Sequence, residues 1–226
     1  MHRHDACDIF SSLYREYVSD DTRLCFLDFD NPFEILVLTI LSAQTTDATV
    51  NSIRDRLFRR YPDAESLAGA SVEKVEEIIR PTGFYHTKAR NIIGASRAVV
   101  ERFGGRVPET MEELLTLPGV GRKTANIVLH HAYGIHEGIA VDTHVKRLAF
   151  RLGLSDHTDP AHIEDDLLAL FPPSAWKYLN FVLISHGRKV CTARHPKCDE
   201  CIVAERCRCA FRTENKNMNS QRKRNS

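Results

Sequence analysis

The sequence predicts an all-α protein, and three observations carry that expectation. No stretch of the 226 residues shows the sustained apolar–polar alternation of a half-buried strand. Apolar residues recur instead at helical spacing between cap and stop signals, as at Val72, Val75, Ile78 and Ile79. The run over 33–42 is apolar nearly all round, as a helix buried on every side must be.

The elements follow in order. Residues 2–18 form a helix with Ile9, Leu13 and Val18 as its apolar positions. Asn31-Pro32-Phe33-Glu34 opens the buried helix, with Asn as N-cap, Pro in the first turn and Glu three after the cap. Thr46 caps the next, which runs to about Tyr61, before Pro62; Asp63 and Ser71 are further candidate caps. The stripe from Val72 to Ile79 is stopped by Pro81 and Gly83. A long helix over 87–103 turns Ile92, Ile93, Val99, Val100 and Phe103 inward and closes at Gly104-Gly105. Over 109–116 a short helix carries capping-box spacing at Thr110 and Glu113, and Pro118 ends it.

Gly119 and Gly121 then flank Val120 in a turn, where residues without a Cβ take positive φ and bring backbone close to a ligand. A second helix runs over 122–131 with Ala125, Ile127, Val128 and Leu129 apolar. Gly134 and Gly138 mark a loop. Asp142 opens a helix over 143–152 that Gly153 closes, Asp159-Pro160 starts another to about 170, and Ser174 caps one that ends at Gly187. Residues 213–226 are polar, lack apolar anchors and are expected to form a disordered basic tail.

Bulk numbers bound the rest. Hydrophobic content of 42% supports a packed core in one domain or two small ones. A net charge of +1 does not announce a nucleic-acid binder, yet Arg and Lys gather from Arg188 onward while acids such as Glu73, Glu76, Glu77, Glu112 and Glu113 lie earlier. A basic face is compatible with that balance. With no bilayer-length apolar run and no signal segment, an intracellular, cytoplasmic protein without a membrane partner is expected. Five of the seven cysteines cluster at 191–209, which fits a metal site better than a secreted disulfide framework.

The chemistry gathers in three places. At the hairpin, the free amides of the turn and of the second helix's first turn share a direction, and Arg122 and Lys123 add full charges. A nucleic-acid phosphate fits, because a Walker pattern is absent; the alternative is a tight turn between two core helices. Lys123 stands where positive surroundings work against an ammonium, as an attacking amine requires, or else it contacts phosphate. Asp142 is an N-cap whose carboxylate is also of a kind to stabilise positive charge on a sugar. Cys191, Cys198, Cys201 and Cys207 have C-x6-C-x2-C-x5-C spacing, which serves zinc and iron–sulfur equally. Lys189, Arg194, His195 and Lys197 crowd the first loop between ligands, a setting for phosphate contacts.

These motifs, together with LSAQTTD at 41–47, TGFYHTKARNI at 82–92, LPGVGRKTAN at 117–126 and VDTHV at 141–145, resemble the endonuclease III family of helix-hairpin-helix DNA glycosylases. The likeness runs from about 10 to 207. It implies a six-helix barrel with the hairpin over 25–134, a second helical lobe from 1–24 and 135–212 that carries a [4Fe–4S] cluster, and DNA between them with the hairpin and VDTHV at the seam. It implies double-stranded DNA with oxidised or damaged pyrimidines or abasic sites as substrate, and a monomeric enzyme. Lys123 matches the Schiff-base lysine and Asp142 the aspartate that assists it. The four cysteines match the cluster ligands, leaving Cys209 spare. Gly119, Val120, Gly121 and Arg122 match the phosphate-binding hairpin. Gln44 and Phe84 match the two residues that fill the gap left by an extruded base; Phe84 departs from the usual aliphatic residue and is suited to stacking. His144 and Arg147 read as packing and phosphate-side residues, and Asp47 as a base contact or a cap. Three other readings remain: a monofunctional mismatch glycosylase on the same fold, against which Lys123 stands, a non-catalytic DNA-binding module, against which Asp142 paired with Lys123 stands, and a zinc-stabilised interaction protein.

Overall fold

The computed structural model describes residues 2–210; the expected tail at 213–226 lies outside them. Every regular element among the described residues is helical, and no described helix is long and apolar enough to cross a membrane. The chain divides into two compact units, residues 23–140 and residues 2–22 with 141–210.

In the first unit α2 (Pro32–Leu41) is the axis of the core. Asn31 Oδ1 accepts from the Glu34 amide at 3.0 Å, and Pro32 supplies a preset φ at the first turn. Every residue from Phe33 to Leu41 is buried. That includes Glu34, whose Oε2 takes Arg54 Nη2 at 2.7 Å and the Asp30 amide at 3.0 Å; the buried carboxylate is therefore fully engaged. Around it stand α3 (Asp47–Arg60), capped by Thr46, α4 (Ala64–Ala68), capped by Asp63 and Ser66, and α5 (Val72–Ile79). A 3-10 turn, Arg80–Thr82, leads to α6 (Tyr85–Phe103). α7 (Met111–Leu115) and α8 (Arg122–Val128) complete the set, and α8 passes into a π-helical turn at Leu129–Tyr133. Ser71 stands at its expected N-cap, but its hydroxyl donates to Glu73 Oε2 at 2.5 Å and not to the helix amides.

The second unit holds α1 (Arg3–Tyr17), α9 (Thr143–Leu152), α10 (Pro160–Leu170) and α11 (Pro173–Lys189), followed by the cysteine segment with single turns at Cys198–Glu200 and Ala204–Arg206. Two expectations for α11 are corrected. Ser174 is not its cap: the helix begins one residue earlier, at Pro173, where ring geometry presets the backbone. Nor does Gly187 close it, since the helix continues to Lys189. Gly187 is glycine because α9 presses on it: a Cβ there lies 2.9 Å from Arg147 Nη2, 3.0 Å from His144 Nδ1 and 3.2 Å from Leu148 Cδ1.

Candidate functional site

The hairpin is built onto α6. Leu117 and Val120 are buried, and the Val120 amide donates to Leu117 O at 3.1 Å, closing a tight turn. Gly119 takes φ +77°, and a Cβ there stands 2.8 Å from Asn91 Cβ on α6, so both reasons for glycine apply. Gly121 differs from expectation: it is the N-cap of α8 in an extended conformation, φ −103° and ψ 177°, with nothing within 4 Å of a Cβ. The fold itself does not demand a glycine at 121. Arg122 and Lys123 are exposed in the first turn of α8, beside amides that have no partner within the helix.

Gln44 and Phe84 are the two non-glycine residues with positive φ among the described residues, at 54° and 49°. Left-handed backbone costs such residues on the order of 1 kcal/mol or more each, and it gathers at functional sites. Both are exposed; Phe84, at 70%, is the most exposed of the large apolar side chains among the described residues. Gln44 lies in the turn after α2, three residues past its end, and Phe84 is the N-cap of α6. Asp47 begins α3 one residue after its Thr46 cap. Sequence reasoning passed over Lys88, which is only 4% exposed and reaches Thr45 Oγ1 at 2.6 Å and Thr82 O at 2.8 Å. The signal was available: Lys88 shares the inward stripe of α6 with Ile92, Ala95 and Val99, an unusual face for an ammonium group.

In the second unit Asp142 caps α9. Its Oδ1 accepts from the amides of His144 and Val145, both at 2.8 Å, which fixes the carboxylate by main chain. Further along α9, Arg147 Nη2 donates to His144 Nδ1 (3.1 Å), Gly187 O (3.0 Å) and Cys191 O (3.2 Å). Arg151 donates to Cys191 Sγ (3.3 Å), Thr192 O (2.7 Å) and Ala193 O (2.9 Å). His144 and Arg147 are thus engaged in packing within this unit. Of the basic loop residues, Lys197 pairs with Glu200 at 3.1 Å, and Lys189 lies over the Tyr17 ring.

Cys191, Cys198, Cys201 and Cys207 line one cavity of about 590 Å³, with Cys209 at its wall. Burial, followed by repulsion from the neighbouring thiols, pushes the Cys201 and Cys207 thiols up. Thiols placed this close ionise together only when positive metal charge compensates them. Cys201 Sγ lies 3.4 Å from His186 Nε2, and Tyr17 Oη lies 2.9 Å from Nδ1 of the same ring. Among the described residues no three His, Cys, Asp or Glu close on a single ion, whereas a zinc site draws its thiolates within about 2.3 Å of one point.

Comparison with known proteins decides the family. Residues 37–173, more than half of the chain, match the HhH-GPD superfamily base excision DNA repair proteins, and residues 191–207 match the iron–sulfur binding domain of endonuclease III. Endonuclease III of Synechocystis sp. is 56% identical over 183 residues, 81% of this chain and 84% of that one. The chain belongs to the endonuclease III family.

Endonuclease III of Bacillus subtilis is 42% identical over 185 residues, again 81% of this chain and 84% of that one. A solved structure of a trapped endonuclease III–DNA covalent intermediate superimposes with a TM-score of 0.87 at 36% identity, covering 92% of this chain and 96% of that one. As a member of that family, the chain is a DNA glycosylase and abasic-site lyase of base excision repair. It carries a [4Fe–4S] cluster, and the cavity, lined by five cysteines, fits that larger group. Cys191, Cys198, Cys201 and Cys207 would hold it. When bound, the cluster supplies iron–thiolate bonds that cross-link the C-terminal loop.

Proposed function

We propose that Lys123 is the nucleophile of this enzyme and that Asp142 is the carboxylate that assists it. The observation that carries the reading is an exposed lysine in the first turn of the hairpin helix, in a chain 36% identical to an endonuclease III captured as a covalent intermediate with DNA. The Nζ lone pair attacks C1′ of the damaged nucleotide. The C1′–N bond breaks, and the base leaves with the electron pair and takes up a proton. The sugar ring opens to an imine on Nζ; a 2′ proton is lost, the 3′ phosphate departs by β-elimination, and water hydrolyses the imine to restore Lys123. Asp142 Oδ1 is spent on the α9 cap, so Oδ2 is the oxygen that faces cationic charge developing on the sugar.

The substrate proposed is duplex DNA carrying an oxidised or ring-saturated pyrimidine or an abasic site, handled by a monomer. The hairpin around Gly119, Val120, Gly121 and Arg122 holds a phosphate without reading sequence, and Gln44 and Phe84 enter the gap left by the extruded nucleotide. The test is borohydride trapping with single-lesion duplexes. Lys123→Gln is expected to bind damaged DNA and to give no trapped adduct; an adduct at the wild-type level sinks the assignment.

A further inference from the structure

Lys88 is an ammonium group buried on the inner face of α6 whose named partners are uncharged. Its Nζ donates to Thr45 Oγ1 at 2.6 Å and to Thr82 O at 2.8 Å, and Thr45 Oγ1 donates to the same Thr82 carbonyl at 2.5 Å. The three polar groups close a triangle between two segments that are otherwise separate in the chain. Thr45 is the residue after Gln44, and Thr82 precedes Phe84 by two. Thr82 is itself fixed from below, because its hydroxyl donates to Ile79 O at 2.8 Å. A buried charge is costly to keep, and a methionine would fill the same stripe of α6 at lower cost. What the lysine adds is reach and charge-assisted bonds to both segments at once.

We propose that Lys88 is a positioning residue that locks the Gln44 and Phe84 segments to each other, so that the two side chains enter duplex DNA as one rigid, two-pronged plug. The proposal rests on the reading of Gln44 and Phe84 as gap-filling residues. Both prongs have left-handed backbones, a conformation that costs energy and needs support from the surrounding structure. With the lock in place the ordering is done before DNA arrives; without it, the ordering is deferred to the moment of base extrusion.

The test uses the full-length holoenzyme and two duplexes, one with a single 5,6-dihydrouracil pair and one with an abasic site at the same position. The readout is the ratio of single-turnover rates on the two, because an abasic site has no base to unstack. Lys88→Met keeps the apolar stem and removes the donors; Thr45→Val cuts the tie from the other side and leaves Lys88 intact, so the question stays open to test even if the first variant folds poorly. Both are expected to lower the ratio by about tenfold, the loss of a charge-assisted hydrogen bond. Lys88→Met is expected to add little in a Gln44→Ala background. Equal losses on both duplexes, or full additivity with Gln44→Ala, overturn the lock. If Gln44→Ala alone leaves the ratio unchanged, the gap-filling reading fails instead. The lock is then judged by amide hydrogen exchange at 43–46 and 82–85: faster exchange in Lys88→Met upholds it, and unchanged exchange overturns it.

Discussion

Gly187→Ala tests whether the contact between α9 and α11 requires a residue without a side chain. In a helix interior the substitution on its own gains about 0.5–1 kcal/mol. Here the new methyl arrives 2.9 Å from Arg147 Nη2 and 3.0 Å from His144 Nδ1. The guanidinium is not free to swing aside, since Nη2 bonds to Gly187 O and Cys191 O, and Nε bonds to Cys191 O at 3.2 Å. Admitting the methyl breaks at least one bond to a charged donor, worth about 1.5–3 kcal/mol. The net expectation is a loss of about 1–2 kcal/mol after the helix gain is subtracted. Gly69→Ala serves as the control, because its Cβ meets nothing closer than Glu65 O at 3.8 Å. Urea denaturation followed by far-ultraviolet dichroism measures the loss, and decay of the cluster's visible absorbance reports on Cys191. If Gly187→Ala matches wild type in both, α9 does not press on α11 as described and the account of this glycine is wrong.

Asp142→Asn keeps the oxygen that accepts from the amides of His144 and Val145 but removes the charge; base release in single turnover is expected to fall about a hundredfold or more with DNA affinity held, and an unchanged rate reduces Asp142 to a cap. Anaerobically purified wild type is expected to be yellow-brown, with iron and acid-labile sulfide that Cys201→Ser loses; a full complement of iron and sulfide in Cys201→Ser would falsify the ligand assignment. Burial first, then Arg23 and His136, holds His131 at about 4, so the unfolded chain takes up that proton first as pH falls from about 6.5 to about 4. Stability from this residue is present above pH 6.5 and is lost on acidification, by about 2 kcal/mol between pH 7 and pH 5. His131→Asn is expected to flatten that slope in urea midpoints; equal slopes in variant and wild type refute it.

The helices were legible in the sequence wherever a polar cap stood before an apolar stripe. Asn31, Thr46, Asp63, Thr110, Asp142 and Asp159 each accept a backbone amide at a helix start. Legibility failed where tertiary contact outranked local preference. Gly187 looks like a stop signal and is a packing requirement; Ser174 looks like a cap, but Pro173 has already begun the helix. The π turn at Leu129–Tyr133 has no local signature, as one extra residue in a helix leaves the apolar spacing nearly intact. Lys123, Asp142 and the four cysteines offered themselves as candidates because residue type at fixed spacing points to a chemistry. Lys88 escaped because its meaning lies in which two segments it bridges, 43 and 6 residues away in the chain.

α9 has a further consequence. Ten residues of helix span about 15 Å. One end fixes Asp142 Oδ1 through two amides; the other, through Arg147 and Arg151, grips the carbonyl and sulfur of Cys191. The helix is therefore a tie-rod with a carboxylate at its head and the Cys191 loop at its foot. The place of the Asp142 carboxylate and the place of the Cys191 loop are thus set by one short helix, so neither is built independently of the other.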